Sequence, residues 1–175
     1  QWNSYQDRQS EAASIAYLQL LEARQTGSDE DTVARRGQRV MSDYPRTPYA
    51  SMAGLQLGEY HAGRGNLERA RDALEWVADN ARETSFQHLG RLRLAQVLIA
   101  ADQAAEAVSL LDGVDHGEFG AQYQERLGDA YAALGEVEQA RMAYEAALEH
   151  EDLGRNRREH IELKRNDLQS GGNAA

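Results

Sequence analysis

Histidines are the side chains of this sequence best suited to proton or metal chemistry near neutral pH, and there are five: His61, His88, His116, His150 and His160. No two stand four residues apart, the spacing that would set a pair on one helical face for a metal ion. His116 shares a segment with Asp112, Asp115 and Glu118. That segment could hold a metal weakly, but it reads better as a solvated acidic loop. His61 reads as a stand-in for an aromatic packing residue. The serines lack a set of partners able to act as base and orienting group. No cysteine is present, which removes disulfides, thiol catalysis and thiolate metal sites together. No glycine-rich phosphate loop follows a strand, because no strand pattern is visible. These absences predict no catalytic, cofactor-binding or metal residues, and a chain that is not an enzyme.

Charge narrows the partners. The formal net charge is −10 and the pI about 5.0, the wrong sign for neutralising phosphates, so no nucleic-acid partner is expected. The one basic cluster, Arg155-Asn156-Arg157-Arg158, could meet anionic lipid headgroups or an acidic partner; an exposed helix start is the preferred reading. Lys164 is the sole lysine among many arginines, which reads as genome composition.

The elements that position these residues are helical. Alanine, leucine, glutamate, glutamine and arginine dominate, and all are good helix formers. Valine, isoleucine and phenylalanine are scarce, and the only prolines are Pro45 and Pro48. Helices are predicted over 2–25, from Ser28 or Asp29 as cap to about 43, and over 48–62 with Thr47 as cap and Pro48 in the first turn. Others follow over 67–80 capped by Asn66, 84–101, 103–112 capped by Asp102, 121–134, 137–150 and 156–169. Gly113 to Gly120 reads as a loop and 170–175 as a frayed tail.

Nine helices with short connectors raise the question of a repeat, and one is present. Gly58, Ala95 and Gly128 align, each preceded by leucine (Leu57, Leu94, Leu127). Twelve residues later stand Ala70, Ala107 and Ala140, followed after four more by Leu74, Leu111 and Tyr144. The register recurs after 37 and then 33 residues, near the ~34 of a two-helix unit. Small residues at these positions would let the two helices of a hairpin approach closely. The buried glycines cost about 1 kcal/mol each against alanine, which close packing has to offset. The expected fold is therefore all-α: a helical-hairpin solenoid in one domain, 1–175. It would have an N-terminal helical segment 1–46, repeats near 48–82, 84–118 and 119–152, and a capping helix 155–169.

The third copy, Leu127-Gly128-Asp129-Ala130-Tyr131 with Ala140, Tyr144 and Ala147, resembles the tetratricopeptide (TPR) consensus. It departs in lacking a tryptophan near Gln124 and a proline near Asp152. The flanks extend the likeness: Trp2-Asn3-Ser4, Ala12-Ala13-Ser14-Ile15-Ala16-Tyr17, Thr47-Pro48-Tyr49-Ala50-Ser51, Leu92-Arg93-Leu94-Ala95 and Glu162-Leu163-Lys164-Arg165-Asn166-Asp167-Leu168. In this order and spacing the chain resembles the periplasmic part of the YfgM family, ancillary subunits of the SecYEG translocon. Arg165 stands where that family usually has leucine. The resemblance implies a single-pass inner-membrane protein whose anchor lies upstream of residue 1, with this TPR-like domain in the periplasm. It implies SecYEG and a membrane-anchored periplasmic chaperone as partners, and Trp2 and Tyr5 near the bilayer surface.

In a TPR-like array the first helix of each unit lines a concave groove. The expected groove positions are Met52, Leu55, Glu59 and Ala62; Leu89, Leu92, Gln96 and Ile99; and Gln122, Glu125, Asp129 and Ala132. Such a groove is apolar at one end and acidic at the other, and suits an apolar helix or extended segment of some basic character. The terminal helices could instead fill it. Alternative roles for the same fold are a self-associating (homo-oligomeric) structural module and an envelope-stress adaptor.

Overall fold

Helix-forming runs broken by glycine or by Pro45 give nine α-helices among the described residues, which cover the backbone of 2–171 and the side chains of 6–168 of this computed structural model. They are α1 (Trp2–Gln25), α2 (Glu30–Asp43), α3 (Pro48–Ala62), α4 (Leu67–Asn80), α5 (Thr84–Ala100), α6 (Ala104–Leu111), α7 (Gly120–Ala133), α8 (Val137–Leu148) and α9 (Arg155–Gly171). A single 3-10 turn, Gly117–Phe119, leads into α7 within the segment expected to be loop. No strand occurs among the described residues, and the fold is all-α. The side chains of Trp2 and Tyr5, and residues 172–175 of the expected frayed tail, lie outside the described residues. Residues 170 and 171 continue α9. None of the described helices is long and apolar enough to cross a membrane.

The caps follow local chemistry, with two corrections. Asp29 caps α2: its carboxylate accepts the Thr32 amide at 2.9 Å and the Thr32 hydroxyl at 2.7 Å. Asn66 caps α4 by accepting from the Arg69 amide. Thr47 precedes α3, but its hydroxyl turns back and donates to the Tyr44 carbonyl at 2.9 Å instead of capping. Pro48 leaves one fewer amide there to satisfy. Asp102 does not cap α6 either. It takes φ +59°, and Gln103 stands at the cap position without a side-chain capping bond.

The sequence register also sets the turn between paired helices at Gly65, Asp102 and Gly135, and there the structure agrees. Gly65, Asp102 and Gly135 occupy the same hairpin-turn position with φ of +76°, +59° and +75°. Each turn closes with the same long backbone bond: Asn66 N to His61 O at 2.9 Å, Gln103 N to Leu98 O at 2.8 Å, and Glu136 N to Tyr131 O at 2.9 Å. This is the left-handed helix stop that satisfies the terminal carbonyls. The second copy meets it with aspartate, one of the few side chains that tolerate this region.

The chain divides into two compact units, 1–93 and 94–175. In the first, α1 packs on α2 and α3, and α3 on α4. Its core joins Tyr17, Leu20 and Ala23 to Val33, Val40, Met41, Ala53, Leu57, Tyr60 and Ala73. Each large apolar side chain fully removed from water stabilises by roughly 1.5–3 kcal/mol. In the second unit α7 and α8 form the tightest hairpin, and α9 packs on α8. Ala140, Tyr144, Ala147 and Ile161 form a buried cluster there, flanked by Tyr131, Ala132, Leu148, Leu153 and Leu168.

Candidate functional site

The small residues of the repeat register sit where helices approach. Ala70, Ala95, Ala107 and Ala140 are fully buried. A methyl group added to Gly58 would come within 2.5 Å of Leu74, and one on Gly128 within 2.5 Å of the Tyr144 ring. The register missed four further close approaches: Gly37 against Leu57, Gly54 against Val77, Gly120 against His150, and Gly90, whose Cβ would lie 2.8 Å from the Ala78 backbone nitrogen. Gly54 and Gly58 are one helical turn apart, a spacing that could have flagged the first of this pair.

The expected groove positions fall in both units. In the first, Leu55 and Leu92 are buried, Met52 packs against the core cluster that α1 helps to form, and Glu59 is exposed. Ala62 and Leu89 are half-buried. In the second, Gln96 is exposed, and Ile99, Gln122, Asp129 and Ala132 are half-buried. Glu125 is only 4% exposed.

Glu125 and Asp129 project from α7 one turn apart and are met by the chain's own α9. Lys164 Nζ donates to Glu125 Oε1 at 2.9 Å and to Asp129 Oδ1 and Oδ2 at 2.9 and 3.1 Å. Arg157 holds the other Glu125 oxygen, with Nε at 2.9 Å and Nη2 at 2.7 Å. Arg126 donates to Asp129 Oδ2 at 2.7 Å, and the Tyr144 hydroxyl to Asp129 Oδ1 at 2.8 Å. Burial pushes the Glu125 carboxyl up, but the hydrogen bonds and charges of Lys164 and Arg157 outweigh it and leave it below the ordinary carboxylate range. Burial and the Asp129 carboxylate hold the Tyr144 phenol far above its ordinary value, so it stays a donor. Arg158 fastens the start of α9 to the end of α8, donating to the Leu148 and His150 carbonyls at 2.7 and 3.0 Å.

The Arg155–Arg158 cluster opens α9 with Arg155, Asn156 and Arg157 exposed, as expected of a helix start, while Arg157 and Arg158 also bond within the fold. The acidic floor expected to receive a basic partner is occupied in the folded chain by Arg157 and Lys164. Sequence reasoning did not find this pairing. Its signal was present: Arg157, Ile161, Lys164 and Leu168 are spaced 4, 3 and 4, one face of a helix.

The histidines go to packing and local bonds. His61 is buried on α3, its Nδ1 2.9 Å from Glu30 Oε1, which also accepts from Asn66 at 3.0 Å. Burial, the largest influence, pulls its imidazole below the ordinary histidine value; Glu30 opposes this, while Arg69 and Arg64 add to it. A methyl on Gly120 would strike the His150 ring, and His116 lies beside Tyr123 with ring centroids 5.3 Å apart. Among the described residues no group of three His, Asp or Glu is placed to hold a metal ion.

Three hairpin turns of one geometry, with small residues at matched positions, define a repeat of helical pairs. A family model described as a tetratricopeptide repeat-like domain matches residues 1–170. The chain belongs to the tetratricopeptide repeat-like domain family. Within this tetratricopeptide repeat-like family it is similar to a protein named ancillary SecYEG translocon subunit from Escherichia coli K12. The two are 26% identical over 167 residues, 95% of this chain and 79% of the relative. A protein of the same name from Neisseria gonorrhoeae is 25% identical over 94% of this chain and 80% of its own length. One from Aggregatibacter actinomycetemcomitans is 25% identical over 95% and 80%.

Proposed function

We propose that this domain is a non-enzymatic protein-interaction scaffold that serves the SecYEG translocon as an ancillary component. On this reading it belongs to a single-pass inner-membrane protein, faces the periplasm, and links export to periplasmic chaperones through a membrane-anchored chaperone partner. The observation that carries the reading is similarity over nearly the whole chain to proteins named for that role. The fold supports it, since helical-hairpin repeats present side-chain surfaces for partner segments. We take residues 1–175 as one functional domain, with Met52 and Glu59 in the first unit and Gln96 and Ile99 in the second, on the first helices of its hairpins, as contact positions.

The test is capture of the tagged, membrane-attached protein from detergent-solubilised inner membranes. SecYEG and a membrane-anchored chaperone are expected in the eluate. Recovery of neither overturns the reading. Recovery of the translocon without a chaperone removes only the chaperone link.

A further inference from the structure

The second unit holds a surface that its own last helix hides. The α7–α8 hairpin carries two carboxylates one turn apart, Glu125 and Asp129, beside an apolar strip built from Tyr131, Ala132, Tyr144, Ala147 and Leu148. Among the described residues, the only fully buried apolar side chain that α9 brings is Ile161, with Leu168 half-buried beside it. Much of its remaining attachment is polar, through Arg157, Arg158 and Lys164. Its outer face is charged, and Leu163 is 62% exposed. A helix held by so few apolar anchors belongs to the low-stability end of a fold, where segments open without global unfolding.

We propose that the α7–α8 hairpin is a helix-binding site that α9 occupies in cis, and that its partner is a helix of the same pattern. That pattern is a basic residue, an apolar residue four later, a basic residue three after that and an apolar residue four later. The bound α9 shows the chemistry the site reads: two cations over Glu125 and Asp129, and two aliphatic side chains over the Tyr144 strip. A neutral or acidic helix would leave the buried Glu125 carboxylate without either of the cations that hold it, a penalty that excludes it. The six-residue connector, Glu149 to Gly154, keeps α9 at an effective concentration on the order of millimolar, so only a matched partner displaces it. This concerns one hairpin and its covering helix, and holds whichever complex the domain serves.

Lys164 makes the test direct, because it is the only lysine in the chain. The whole domain, isotope-labelled, is treated with an amine-reactive reagent with and without an acetylated peptide of sequence 155–171, and Lys164 modification is read by mass spectrometry. The peptide is expected to raise the Lys164 rate several-fold, and a peptide with glutamine at positions 157 and 164 to leave it unchanged. Ile161→Ala loosens α9 and spares both carboxylates, so this variant should bind the native peptide roughly ten-fold or more tightly than the wild type. Hydrogen exchange on the unaltered protein is a second reading that no folding failure can spoil: α9 amides should exchange faster than those of α7 and α8. Exchange of α9 only together with α7 and α8 overturns the proposal. So does equal action of the neutral peptide, or indifference of Lys164 to the native one. A dimer in which two copies trade α9 would make the occupant a second copy, and also overturns it.

Discussion

Lys164 Nζ lies 2.9 Å from Glu125 Oε1, joining the last helix to the floor of the preceding hairpin. The ammonium also reaches both oxygens of Asp129. Three donors on a compact point charge suit three oxygens converging from one helix face, where a planar guanidinium would need a flat fork of acceptors. A single lysine in an arginine-rich chain thus has a steric reason at this position.

Removing that charge leaves Glu125, whose side chain is only 6% exposed, to Arg157 alone, and Asp129 to Arg126 and the Tyr144 hydroxyl. Lys164→Met should lower stability by about 2 kcal/mol or more, read as a shifted midpoint in urea unfolding. Lys164→Arg should fall between the two, since it keeps the charge but not the shape. Equal stability of all three proteins would show that the network contributes nothing net.

Acid should destabilise the domain in two steps. The buried His61 imidazole titrates below its ordinary value of 6.5, so the unfolded chain binds its proton first. Its contribution is complete above that pH and is lost as pH falls toward the folded value. Glu30 and Glu125 sit below their ordinary value of 4.5; they stabilise above it and lose that contribution further down. Thermal melts of His61→Gln should show a flatter pH dependence as pH falls below 6.5, and those of Glu125→Gln a flatter one only below 4.5. An unchanged upper slope in His61→Gln would mean that the imidazole titrates alike in both states.

The turn position offers a stabilising change. Asp102 bears the left-handed conformation that Gly65 and Gly135 adopt in the other hairpins. Asp102→Gly should stabilise by up to about 1 kcal/mol, the relief of that conformation less the added freedom of the unfolded chain. Asp102→Val should destabilise. The pair of denaturation midpoints checks the assignment, which fails if valine is tolerated.

Close approach predicts the reverse at Gly128. A methyl group there meets the Tyr144 ring, and that ring is tied to Asp129 through its hydroxyl and cannot swing clear. Gly128→Ala should cost about 1–3 kcal/mol despite its gain in helix propensity. Gly154→Ala, with nothing within 4 Å of the new methyl, should stay within about 0.5 kcal/mol of wild type. Calorimetric midpoints of the two variants decide it.

The sequence by itself determined the helices, their order and the hairpin register. Those rest on local physics: propensity, caps such as Asp29 and Asn66, and stops at Gly27, Gly65 and Gly135. The alignment of small residues with a recurring turn carried enough long-range information to name the repeat. Tertiary structure alone decided what lies over Glu125 and Asp129. Their partners, Arg157 and Lys164, are 32 and 35 to 39 residues away; their spacing sets them on one face of α9 but does not say which carboxylates that face meets. The register placed Asp102 at the turn beside Gly65 and Gly135, but whether it also caps α6 was not legible. Aspartate suits a helix cap and a left-handed turn equally, and only the backbone path of the second hairpin chooses between them.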